Sequence, residues 1–166
     1  MNSDIAAQFK RIHERQLTIM QNDVLTIGHI LKGVTREQAT QFRDPNDGDK
    51  GWTVLQVVCH LRDFDPIFLA RTRQMVNEAN PAFVGYDVDA MAAKYGNEDL
   101  MTAYDQLVES RKQAVEYFKS LSDEQWLCPG THPIYGPFSV TDQAQQYCSH
   151  DSIHIEQILK ILAQQY

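Results

Sequence analysis

His150 and His154 stand four residues apart in the segment SHDSIHIEQILKIL, whose apolar residues recur at helical spacing. On a helix that interval turns a side chain only about 40° around the axis, so both imidazoles share one face and can close on one ion. Wheel placement sets the pair at the edge of the face that runs through Ala144, Tyr147 and Ile158. His60 lies at the margin of the face made by Val57, Leu61, Phe64 and Phe68 on an earlier helical segment. Two adjacent helices would then offer three imidazoles and leave a coordination position open for water or substrate, the pattern of a catalytic rather than a closed structural centre. Zn, Ni, Fe and Mn all accept such ligands. The competing reading of the His150–His154 pair is two hydrogen-bonded histidines at the surface or in the core.

Asp63, three residues after His60, and Asp151, three before His154, are candidates to accept the second ring N–H of a histidine or to bind the ion itself; the alternative is two solvated carboxylates. His13, His29 and His132 have no partner at ligand spacing, and His132 is the one expected near a pocket, because its loop can cross a bundle end. A di-iron carboxylate centre is disfavoured, since no Glu-x-x-His occurs. Neither a GxSxG nucleophile elbow nor a glycine-rich phosphate loop is present. Cys59 and Cys148 fall within two residues of a proposed ligand, but their wheel positions point away from it.

The elements that must position these residues read as four long helices. The first runs from about Asp4 to Lys32, with Gly33 as its stop. A loop over Arg43 to Gly51 precedes a second helix, capped by Thr53 with Gln56 as its capping-box partner and bent at Pro66. Asn80 to Glu98 is a long crossover with one short helix near Val88 to Lys94; Phe83 to Val88 is the best, though short, strand candidate. A third helix, Asp99 to Ser120, carries the stripe Leu100, Tyr104, Leu107, Val108, Arg111, Val115 and Phe118. Cys128 to Phe138, with three prolines and two glycines, is expected to wrap an end as a loop, where Tyr86, His132 and Tyr135 are candidate substrate contacts. Ser139 then caps a last helix that reaches nearly to Tyr166. The predicted fold class is all-α: a four-helix bundle with a long crossover between helices two and three and short additional helical turns.

Length and charge narrow the functions. At 166 residues, one domain over 1–166 is expected. Fifteen Lys and Arg against 22 Asp and Glu give −7, with no basic cluster, which disfavours nucleic acid as a partner. There is no apolar run long enough for a membrane span and no secretory signal pattern, and three cysteines without CxxC spacing favour reduced thiols in the cytoplasm.

The pattern Trp52-Thr53 followed by His60-Leu61, then His150-x-x-x-His154-x-x-Gln157-Ile158, resembles the DinB-like (damage-inducible) family along essentially the whole chain. The resemblance implies a four-helix bundle, a homodimer, and a divalent metal ion on His60, His150 and His154. It also implies kinship with S-transferases that use low-molecular-weight thiols such as bacillithiol or mycothiol. The expected function is therefore a metal-dependent enzyme activating water or such a thiol for attack on a small electrophile, hydrolase-like or transferase-like. The alternative is a non-catalytic, stress-associated dimeric metal-binding bundle.

Overall fold

Three polar residues fix where the main helices begin. Thr53 accepts from the Gln56 backbone while the Gln56 side chain accepts from the Thr53 N–H, Asp99 accepts from the Thr102 N–H, and Ser139 accepts from the Asp142 N–H. Each such cap is worth about 1 kcal/mol, because it satisfies a backbone donor that has no partner inside the helix. The computed structural model describes residues 3–48 and 51–164. Its long helices are α1 (Ser3–Leu31), α3 (Val54–Asn77), α5 (Leu100–Lys119) and α6 (Val140–Ala163), joined through the short α2 (Arg36–Gln41) and α4 (Val88–Ala92). The loop expected over 43–51 is present, residues 49 and 50 lying outside the described residues. Gly33 ends α1 with a φ of 84°, and α3 runs unbroken through Pro66.

The four long helices form a bundle in which α1 and α3 each pack against both α5 and α6. The crossover of residues 78–99 joins α3 to its neighbour α5. Among the described residues no helix is long and apolar enough to cross a membrane.

Two expectations need correction. The proline-rich segment is a two-stranded antiparallel hairpin, β1 (Pro129–His132) and β2 (Gly136–Ser139), with Pro129 opposite Ser139 and His132 opposite Gly136. Prolines are tolerated because the sheet is all edge. The strand candidate Phe83 to Val88 contributes only Phe83 N–H, which donates to Thr131 O at 2.9 Å, while Thr131 N–H donates to Pro81 O at 2.8 Å. The crossover is thereby pinned to the hairpin. Gly130 lets this happen, since a β-carbon there would stand 2.9 Å from both Met75 and Phe83. Among the short additional helices, α2 starts at a Thr35–Gln38 capping box as complete as that of α3.

The core is divided. One apolar cluster joins Val24, Ile27, Val58, Leu61, Leu107 and Ile158; another joins Met20, Phe64, Phe68, Ala114, Phe118 and Tyr147. Between them on α5 comes Arg111, 3% exposed, which donates to both oxygens of Asp151 on α6, to Asp65 Oδ1 on α3 at 2.7 and 3.0 Å, and to the Met20 carbonyl on α1 at 2.8 Å. One guanidinium ties all four helices. Burial pushes both carboxyls up, Asp65 to about 6, while the paired carboxylates hold Arg111 charged. Arg111 thus belongs to a polar layer and not to the apolar stripe in which its spacing places it.

Removing one partner from a buried ion pair strands the other charge, at a cost of about 3–5 kcal/mol. Arg111→Ala, which leaves Asp65 and Asp151 buried without their cation, is expected to lose that much in chemical denaturation, whereas Lys119→Ala, which breaks an exposed pair with Glu116, should cost under about 1 kcal/mol. Equal losses in the two variants would contradict the assignment.

Candidate metal centre

His60 sits two turns into α3 from its Thr53 cap, and His150 and His154 occupy successive turns of α6. The packing of α3 on α6 brings His60 Nε2 to 2.9 Å from His150 Nε2. One ligand atom from each of the three histidines lies within 4.8 Å of the other two. Trp52 stacks parallel to His154 at 6.1 Å, Phe64 lies 4.3 Å from the His60 ring, and Phe68 stands edge-on to His150 at 5.2 Å. This aromatic wall sets the protonation state. Burial, reinforced by His154, pushes His60 down to about 3; burial and the neighbouring histidines hold His150 far below its ordinary value; burial lowers His154. All three rings are neutral near pH 7, the state in which imidazole donates a lone pair.

One ring is oriented by a relay. The Gln157 side-chain N–H donates to Asp44 Oδ2 at 2.9 Å, which turns Gln157 Oε1 toward His154 Nδ1 at 2.7 Å. Nδ1 must then carry the proton, leaving the Nε2 lone pair free. His60 Nδ1, by contrast, is buried with no partner among the described residues. Asp63 and Asp151 do not serve the histidines. Asp63 accepts from Arg62 Nε at 2.7 Å and from the Tyr95 hydroxyl, and Asp151 is held by Arg111. Both are drawn to stronger donors than an imidazole N–H.

The donor set fits a divalent ion: three neutral imidazoles converge, two of them with Nε2 atoms at a separation where at most one can donate to the other. The three histidines open into a cavity of about 290 Å³ whose wall includes Trp52, Arg71, Tyr86, His132 and Tyr135. A larger depression of about 580 Å³ also reaches His154, together with Asp44, Gln157 and Lys160.

A family model described as the DinB superfamily matches residues 9–158, a span that contains all three histidines. The chain belongs to the DinB superfamily. It is 24% identical over 141 residues to a protein of Oceanobacillus iheyensis provisionally named a metal-dependent hydrolase, covering 84% of this chain and 82% of that one. Its fold matches YfiT from Bacillus subtilis, described as a probable metal-dependent hydrolase with an unusual four-helix bundle topology, at a TM-score of 0.82. That match has 20% identity and covers 92% of this chain and 87% of YfiT.

In this DinB bundle the remaining histidines stay away from the cluster. His13 is buried, stacked on Trp126 at 3.8 Å and bonded to Thr141, while His29 is exposed and bonded to the Leu25 carbonyl. His132 does reach the cavity wall, as its loop position suggests, along with Tyr86 and Tyr135. The three cysteines are unpaired and none lines that cavity; burial raises Cys59 to about 11 and Cys148 to about 12, so both remain thiols. Sequence reasoning missed Arg71 and the Asp44–Gln157 relay, although a glutamine three residues after His154 on one helix is within side-chain reach of it.

Loss of an outer hydrogen bond to a ligating histidine costs about 10–100-fold in metal affinity. Gln157→Leu is expected to weaken metal binding by that factor in competition with a chelator; unchanged affinity would remove the relay from the account.

Proposed function

We propose that this chain is a metal-dependent enzyme that activates water or a small thiol for attack on a small electrophile, acting as a hydrolase or a thiol S-transferase. The observation that carries the reading is the convergence of three neutral imidazole nitrogens within 4.8 Å on the wall of a cavity large enough for a small substrate. A divalent ion held by His60, His150 and His154 would lower the pKa of a bound water or thiol toward neutrality and polarise a substrate oxygen. Each nearby side chain has a part. Trp52, Phe64 and Phe68 dry the site and keep the rings neutral. Gln157 keeps the His154 proton on Nδ1. A thiol nucleophile comes from a small molecule, because none of Cys59, Cys128 and Cys148 lines the cavity. The name of the Oceanobacillus relative favours water.

Metal analysis of protein purified without an affinity tag should find Zn, Ni, Fe or Mn near one per chain, and the triple change His60→Ala, His150→Ala and His154→Ala should abolish both occupancy and turnover. Turnover of ester or amide substrates with metal alone assigns the hydrolase; dependence on an added thiol assigns the transferase. Metal occupancy without turnover on either panel would overturn the enzyme reading in favour of a non-catalytic metal-binding bundle.

The same reading includes a homodimer in a reducing cytoplasm. Ile5, Ile12 and Ile19 are exposed at seven-residue intervals along α1, an apolar strip suited to a second copy, and all three cysteines are unpaired. Sedimentation should give twice the chain mass, reduced to one by Ile12→Glu with Ile19→Glu; a wild-type monomer would contradict the dimer.

A further inference from the structure

Among the described residues two arginines are buried, and their surroundings differ in kind. Arg111 is neutralised by two carboxylates. Arg71, on α3 and only 6% exposed, makes no ion pair among the described residues. Its Nη2 donates to the Val84 carbonyl at 2.9 Å, and its guanidinium lies over the rings of Phe83 and Tyr86 at 5.3 and 5.7 Å. Ring faces offset part of the charge but accept few of the five N–H donors. A buried cation normally has an anion beside it. Burial accordingly pushes Arg71 below its ordinary value.

The neighbour of Arg71 sharpens the point. His132 Nδ1 receives the backbone N–H groups of Ile134 and Tyr135 at 3.2 and 3.3 Å, an arrangement imposed by the hairpin turn. Nδ1 is therefore the acceptor, and in the neutral ring the proton sits on Nε2. Burial and the nearby guanidinium both disfavour a second proton. His132 Nε2 stands 3.1 Å from Arg71 Nη1. Two donors thus face one another with no acceptor between them, and both border the cavity that the histidine cluster opens into.

We propose that Arg71 and His132 form an oxyanion-recognition subsite, and that the molecule processed at the histidine cluster is a small organic anion held there by its carboxylate or phosphate group. One oxyanion oxygen can accept from Arg71 Nη1 and His132 Nε2–H together, which turns a donor-donor conflict into two charge-assisted hydrogen bonds. The naming of the substrate class rests on the enzymatic reading above; the anion subsite itself does not. The cavity of about 290 Å³ is of a size to take a small molecule.

The test titrates the full chain, as purified, with sodium acetate, succinate and inorganic phosphate at constant ionic strength. The nitrogen-bound protons of Arg71 and His132 are followed by NMR and the thermal midpoint is recorded in parallel. Saturable movement of both signals with one of these anions is expected, together with a rise in midpoint. Arg71→Met should weaken that anion at least about tenfold and keep its metal content, and Arg71→Lys, which retains charge without the planar fork, should fall between. Response to carboxylates alone or to phosphate alone supports the subsite and names the group it reads. If no anion moves the Arg71 signal, or if Arg71→Met binds as tightly as the wild type, the subsite is overturned. Should Arg71→Met fail to fold, the wild-type signals and the lysine variant decide. Anion response in a wild-type chain that holds no metal would keep the subsite and sink the metal reading instead.

Discussion

The structure hangs on one guanidinium. Arg111 reaches from α5 to carboxylates on α3 and α6 and to a carbonyl on α1, so any axial slip of one helix past another breaks a charged, buried hydrogen bond. Apolar packing tolerates small slips because it is non-directional; a guanidinium fork does not. The consequence for the site is direct. Asp151 adjoins His150 in sequence, and Asp65 lies five residues beyond His60, so fixing Asp65 against Asp151 fixes His60 against His150. Tyr147 reinforces the register, its hydroxyl donating to the Asp65 carbonyl at 2.7 Å while its ring lies 5.0 Å from the Arg111 guanidinium.

This polar layer divides the apolar core into two clusters. The histidines face outward from it toward a cavity roofed by the hairpin and the crossover. The bundle thus supplies the convergent imidazoles, and the irregular segments supply Tyr86, His132 and Tyr135. Rigid elements carry the chemistry and variable segments shape what can reach it.

The sequence exposed the parts of this arrangement that depend on local geometry. Two helix starts followed from the Thr53 and Ser139 caps, and the His150–His154 pairing from one turn of α6. His60 was accessible to a wheel argument because it borders an apolar face. What could not be read depends on contacts distant in the chain. An arginine on the core stripe of α5 announces that Arg111 needs a partner, but only helix packing shows that Asp151 is that partner and is thereby taken from the histidines. The Arg71–His132 contact spans 61 residues and exists only because a segment with three prolines folds as a hairpin, against the usual bearing of proline on strands. Gln157 shows the intermediate case: its contact with His154 is local, yet the amide is oriented by Asp44, 113 residues away.

The central claim is that the buried register of α3 against α6 builds a three-imidazole donor set. X-ray absorption at the edge of the metal found in the purified protein tests it most directly. The account predicts a first shell with three imidazole nitrogens at about 2.0–2.1 Å for zinc, with the outer-shell scattering of the rings. Sulfur in the first shell, or fewer than three imidazoles, would contradict it.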